Sequence, residues 1–249
     1  MKTLHAILTV ALAAGQLAVA DGAAAAAKRP VVVELFTSQG CSSCPPADAL
    51  LAHLADRKDV IALSLPITYW DMLGWKDTLA SEDNTRRQKA YAQIMGHSGV
   101  YTPQMIVDGM NDLVGSRETA VEGAIEARSA DLRSIPVTLN VSPREVHVWV
   151  GPGQEKGDDA TIWMFQVLSK AVVNIHAGEN DGRSITYRDV VRGVKAIGVW
   201  KGQAVSLDLP RDDSMSEPHD ELAVVVQQNG YGRIVGAALL GRPDLEGQH

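Results

Sequence analysis

The chain has 249 residues, of which 45% are apolar and 21% charged, the balance of a globular protein able to bury a sizeable core. A formal charge of −7 at pH 7, with no basic run, argues against a nucleic-acid partner. Two cysteines in the whole sequence are too few for a disulfide-stapled scaffold.

Residues 1–20 open with Lys2, run apolar from Ala6 to Ala20, and end Ala18-Val19-Ala20 before Asp21. That pattern predicts a secretory signal peptide cleaved near Ala20, too short and alanine-rich for a membrane anchor. Residues 21–28 read as a linker. No other stretch approaches the length of an apolar membrane span, so stable membrane insertion is not expected. The mature chain is expected in the periplasm or outside the cell, where a disulfide persists.

Val31 to Phe36 is β-branched and mostly apolar, as in a strand buried on both faces. Thr37 to Gly40 is a loop, followed by Cys41-Ser42-Ser43-Cys44, which holds both cysteines. Used only as a C-x-x-C pair, cysteine handles electrons, holds a metal, or closes one small ring. Ala47 to Ala55 predicts a helix with Leu50, Leu51 and Leu54 on one side. Val60 to Leu65 is a second buried strand, stopped by Pro66, and Trp75 to Met95 has a helical composition. Met105-Ile106-Val107 and Leu113-Val114 flank an Asp108-Gly109 turn, a hairpin signal. Ser116 is placed to cap a helix over roughly Arg117 to Ala130. The predicted order is β-α-β-α-β-β-α.

Pro45 and Pro46 lack N–H groups and fit a first helical turn, which places the helix start near Cys44 and Cys41 just ahead of it. Unpaired N–H groups and the helix dipole there favour a thiolate, so Cys41 is the expected attacking sulfur. Cys44, more enclosed, resolves the mixed disulfide.

This order, with C-x-x-C after the first strand and Thr102-Pro103 before the third, resembles the thioredoxin arrangement over about residues 29–130. The resemblance implies that Pro103 is a cis proline lying against the cysteine pair, with Thr102 offering its backbone to a substrate chain. It also implies that Glu34, the lone charge in the first strand, is a buried acid exchanging protons with the inner cysteine. The alternative for Glu34 is a solvated, edge-facing side chain.

Glu34 to Asp48, together with Tyr69-Trp70-Asp71, Gly74-Trp75-Lys76-Asp77, Arg87-Gln88, Tyr91-Ala92 and Tyr101-Thr102-Pro103-Gln104, resembles the DUF1223 family of exported bacterial proteins. That family implies a fold and a compartment more than an activity. Thr68 departs from its pattern, standing where an acidic residue is expected.

The stretch from Thr68 to Gly96 is longer than in a plain thioredoxin and is placed to roof the cysteines. Tyr69 and Trp70 are candidates for a substrate wall, whereas Trp75 is expected to pack the inserted segment. His97, on the loop leading to Pro103, is a solvated side chain or a proton shuttle.

From Ile135 onward the pattern changes. Pro136 to Val141, Glu145 to Val150, Thr161 to Leu168, Ala204 to Leu209, Glu221 to Val226 and Arg233 to Leu239 are short β-rich runs between turn residues, which predicts an antiparallel sandwich. The expected organisation is an α/β thioredoxin-like domain over 29–133 followed by an all-β antiparallel sandwich domain over 134–249. His176 to Arg183, continued by Tyr187 to Arg192, reads as a long functional loop reaching the first domain or as a solvated crossover.

Three function classes follow. The first is an exported thiol–disulfide oxidoreductase with a thiol or disulfide substrate, protein or small molecule, and no cofactor. The second is a metal-handling module using both thiolates and His97 on a soft ion, which is short of ligands, so no metal site is assigned. The third is a ligand-binding protein on a thioredoxin frame, with Cys41–Cys44 as an inert clasp. Ser42 and Ser43 do not set the direction of electron flow.

Overall fold

The computed structural model describes residues 29–130, 134–153, 159–211 and 218–241. The expected signal peptide and linker, and residues 131–133 at the expected boundary, lie outside the described residues. Among the described residues three α-helices and two sheets form a mixed, sheet-rich α/β fold. Among the described residues no helix is long and apolar enough to cross a membrane.

The chain begins with the order read from the sequence: β1 (Val31–Thr37), α1 (Pro45–Ala55), β2 (Val60–Pro66), α2 (Glu82–Ile94), β3 (Gln104–Val107), β4 (Asn111–Val114) and α3 (Glu118–Ser129). β1 pairs parallel with β2 and antiparallel with β3. All seven of its residues are buried because both faces of the sheet are covered. Val31, Val33 and Leu35 pack with α1 and α3 residues such as Leu51 and Val121. Val32 and Phe36, on the opposite face, pack with Tyr91 of α2.

The helical stretch expected from Trp75 starts later, at Glu82. Gly74, at φ 95°, ends a short 3-10 turn over Asp71–Leu73. The Asp77 carboxylate then accepts from the N–H groups of Leu79 and Ala80, a local bond that competes with helix. Ser81 caps α2 by accepting from the Asn84 N–H at 3.2 Å. In the β3–β4 hairpin Asp108 and Gly109 both have positive φ, 53° and 70°, as required of the two central residues of a turn closed by the Met110 N–H on the Val107 carbonyl. A side chain at position 109 would meet the Gly232 carbonyl oxygen at 2.1 Å, so only glycine fits. Asp108, fully buried, pairs with Arg29 and Arg128.

The remaining strands are β5 (Val137–Val141), β6 (Glu145–Val150), β7 (Ala160–Asn174), β8 (Ser184–Trp200), β9 (Val205–Pro210), β10 (Glu221–Gln228) and β11 (Ile234–Leu240). They are antiparallel to one another and lie in two layers, but they do not stand apart from the first half. One eight-stranded sheet runs β11-β10-β7-β8-β2-β1-β3-β4, and a three-stranded sheet, β5-β6-β9, forms the other layer. The junction is the parallel pairing of β2 with β8 at Ser64 and Val190, which occupies an edge of β2 that otherwise exposes unpaired backbone groups. β10 is buried on both sides: Leu222, Val224 and Val226 pack with Val148, Val150 and Trp200, and Ala223 and Val225 with Phe165.

Tyr187 to Arg192 is strand, not loop. β7 and β8 are 15 and 17 residues long and pair down to Asn174 and Ser184, leaving 175–183 as the tip of a long hairpin. Arg188, Asp189 and Arg192 hide the alternation in the sequence. In the fold Arg188 reaches Asp56 and the Ser169 carbonyl, and Arg192 reaches the Leu79 carbonyl.

Candidate functional site

Cys41 and Cys44 are joined by a disulfide, with Cα atoms 5.4 Å apart. Cys44 is the N-cap of α1, and Pro45 and Pro46 occupy its first two positions. The Cys44 carbonyl accepts from the N–H groups of Ala47 and Asp48 at 2.8 and 3.1 Å. Cys41 therefore precedes the helix, but it is hardly more open than its partner: relative exposures are 2% for Cys41 and 0% for Cys44. Ser42 and Ser43 between them are exposed, and the Ser43 hydroxyl lies 3.3 Å from the Cys41 sulfur.

The Thr102–Pro103 peptide is cis. Two contacts bring this loop to the cysteine motif. A Cβ built on Gly115 would lie 3.2 Å from the Ala47 Cβ and 3.4 Å from the Pro103 Cβ, so Pro103 sits beside the first turn of α1. Trp70 bridges the two loops: its indole N–H donates to the Thr102 hydroxyl at 2.8 Å, and its Cβ lies 3.2 Å from a Cβ built on Gly40. Tyr69 packs at a tilt on Trp70, ring centroids 6.2 Å apart. Burial raises the Tyr69 pKa, which the Gln88 and Thr102 side chains partly offset. Met72 and Leu73, next in the chain, are exposed.

Glu34 has partners other than the inner cysteine. By strand alternation it shares the face of Val32 and Phe36, opposite α1. It is fully buried, pairs with both Nε and Nη2 of Arg87, and accepts from the Tyr91 hydroxyl. The Arg87 guanidinium is ringed by Tyr91, Trp163, Phe165 and Tyr231 at 5.0–5.5 Å from ring centroids. The resemblance placed an acid on the correct strand but the wrong face for the cysteines.

A second acid lies on the cysteine side. Asp48 is four residues after Cys44 on α1, so the two side chains share a helix face, and the carboxylate leans back toward the Cys44 turn. It is 5% exposed. One oxygen accepts from the Thr37 hydroxyl at 2.7 Å, while Oδ2 has no hydrogen-bond partner among the described residues. Burial pushes its pKa up to about 7, against the Thr37 bond and with help from the Asp77 charge. Asp77 is raised to about 6, again chiefly by burial, opposed by N–H bonds from Gln39 and Leu79. Tyr187 of β8 faces this pair: burial, then Asp48 and Asp77, raise its pKa, and its hydroxyl has no hydrogen-bond partner among the described residues.

The loop before Cys41 is held from two sides. The Gln39 N–H donates to Asp77 and its side-chain carbonyl accepts from the Trp75 indole, each at 2.8 Å. Across from it, the β7–β8 tip supplies Asn180, 1% exposed, whose amide donates to the Gln39 and Cys41 carbonyls, both at 2.9 Å. Glu179 accepts from the Ser42 N–H at 3.2 Å. His176 stands edge-on to Trp75, centroids 6.0 Å apart. Gly178, at φ +75°, leaves 3.2 Å between a built Cβ and the Trp75 Cβ, which suits glycine. The roof over the cysteines is thus shared between the Thr68–Gly96 stretch and the hairpin tip.

His97 pairs with Asp112 at 2.9 Å, and Asp112 also accepts from Tyr101 and Gln104. The site gathers Cys41, Cys44, Trp70, Thr102 and Pro103, with Trp75 bracing the loop. Asp48 was missed, although an acid four residues beyond a cysteine on an apolar helix face is visible in the sequence. Glu179 and Asn180 could not be singled out without the hairpin register.

A family model described as a protein of unknown function, DUF1223, matches residues 32–227. The crystal structure of an Agrobacterium tumefaciens protein is similar over 88% of this chain and 97% of that one, at 31% identity and a TM-score of 0.75. HBP35 of Porphyromonas gingivalis shares the fold at a TM-score of 0.62 and 14% identity, over 86% of this chain and 75% of that one. No curated protein matches the chain.

Proposed function

The chain belongs to the DUF1223 family, whose function is unknown, and we propose that it is an exported thiol–disulfide oxidoreductase working through Cys41 and Cys44. In this reading residues 29–133 are a thioredoxin-like unit whose sheet is extended by β8, β7, β10 and β11 and whose site is covered by the β7–β8 tip. Export rests on the leader pattern of residues 1–20. The observation that carries the activity is the convergence of three features: a disulfide at the head of α1, the cis Thr102–Pro103 loop beside it, and the buried acid Asp48 on the same helix.

A substrate thiolate attacks the Cys41 sulfur, forming a mixed disulfide and releasing the Cys44 sulfur as a thiolate. Protonated Asp48 gives that thiolate its proton and becomes a carboxylate. A second substrate thiolate then attacks the substrate sulfur of the mixed disulfide, leaving as the substrate disulfide and releasing the Cys41 thiolate, so two electrons reach the cysteine pair. In the reducing direction Asp48 takes the Cys44 proton back, and the Cys44 thiolate attacks Cys41 of a mixed disulfide, re-forming the internal disulfide and expelling the substrate as a thiolate. Thr102 offers its backbone to an extended substrate, with Trp70 and Tyr69 as an apolar wall.

Burial of both sulfurs favours a second reading, an inert clasp in a binding protein. The reduction potential separates the two. Equilibrated with glutathione and mass-tagged for free thiols, an oxidoreductase couple is expected between about −120 and −270 mV. A couple that stays oxidised below about −300 mV behaves as a structural disulfide, and the enzyme reading is then abandoned.

A further inference from the structure

Resting on that redox reading, we infer that the β7–β8 hairpin tip sets the acidity of Cys41, with Glu179 as the residue that disfavours its thiolate and Asn180 as the one that positions its loop.

A cysteine ahead of a helix is stabilised as a thiolate by nearby N–H groups. Here two of those groups are already engaged. The Ser42 N–H donates to the Glu179 carboxylate at 3.2 Å, and the Cys44 N–H donates to the Cys41 carbonyl at 3.2 Å. Asn180 binds that same carbonyl and the Gln39 carbonyl, fixing the loop that presents Cys41. Glu179 thus places a negative charge at the mouth of the helix and is held ionised by its bonds from Ser42. The other ionisable groups around the motif are Asp48 of α1, Asp77 and Asp71 of the inserted stretch, Tyr187 of β8 and His176 of the tip. The Ser43 hydroxyl, 3.3 Å from the sulfur, is in reach as a donor to a Cys41 thiolate. A strand hairpin from the second half of the chain thus supplies the group that opposes the helix dipole, poising the couple toward the disulfide.

The test is the Glu179→Gln variant, which keeps an acceptor for the Ser42 N–H and removes only the charge. Thiolate absorbance of the chemically reduced protein is titrated in wild type, in this variant, and in Glu145→Gln, an exposed carboxylate on β6. The expected result is three- to tenfold more Cys41 thiolate below its midpoint in Glu179→Gln alone. Where wild-type Cys41 is ionised, the glutathione equilibrium shifts by the same factor toward the oxidising side, about 15–30 mV. An unchanged thiolate titration in Glu179→Gln overturns the inference, as does an equal shift in Glu145→Gln. Because that titration uses chemically reduced protein, it judges the tip even if the wild-type couple fails to exchange with glutathione, an outcome that sinks the parent reading instead.

Discussion

Replacing Arg87 with methionine is expected to cost about 3–5 kcal/mol of folding stability, read by urea unfolding. Arg87 projects from α2 and ties together parts of the chain remote in sequence: Glu34 of β1, Gln227 of β10 at 2.9 Å, and the rings of Trp163, Phe165 and Tyr231. Methionine fills much of the volume but leaves Glu34, fully buried, with the Tyr91 hydroxyl as its remaining donor. An orphaned buried charge is the dominant penalty, larger than the lost packing. Adding Glu34→Gln to Arg87→Met removes that charge and is expected to restore part of the loss, a coupling a double-mutant cycle measures directly. A cost below about 1 kcal/mol for Arg87→Met, or no recovery in the double variant, would mean that the buried Arg87–Glu34 pair does not stabilise the fold.

Much of the first half was legible because its signals are local. Val31 to Phe36 and Val60 to Leu65 are apolar runs too short for helices, and Asp108-Gly109 names its own turn. The two prolines after Cys44 mark the helix start without reference to any neighbour. The second half was legible as β-rich but not in its pairing, because what joins it to β2 is one parallel contact between Ser64 and Val190, which no composition signals. β8 escaped notice because its charges find partners across elements, as with Arg188 and Asp56, so a polar run there is not a solvated one. The site followed the same division. Cys41 and Cys44 stand out by their spacing and Pro103 by the resemblance to thioredoxins, whereas the fate of Glu34 depends on Arg87, 53 positions away. The acid that shares a helix face with Cys44 was within reach of the i, i+4 rule, and the tip residues were not.

Asp48→Asn is expected to stabilise the protein at pH 8 while slowing its thiol exchange, a combination that a purely structural acid does not give. Burial lifts the Asp48 pKa to about 7 from an ordinary 3.8. Between those values the folded chain holds a proton that the unfolded chain has released. The stability tied to this group is complete below the lower value, falls as pH rises through the window, and is gone above about 7. Asparagine is neutral throughout and keeps an oxygen for the Thr37 hydroxyl, so the variant gains about 2–4 kcal/mol at pH 8 and little at pH 4. Asp77 and Asp189, raised by burial to about 6 and 7, keep their own share of the slope, so the variant flattens the pH dependence without abolishing it. The rate points the other way. Without a group that yields and recovers a proton beside Cys44, release and re-attack of that sulfur at pH 7 are expected to slow about 10²-fold, the low end for general acid–base catalysis. Stopped-flow exchange with a small disulfide, run on protein first reduced, measures this directly. A variant that is stabilised at pH 8 but exchanges at the wild-type rate shows that the Cys44 proton comes from solvent, and Asp48 is then a buried acid with no part in the chemistry.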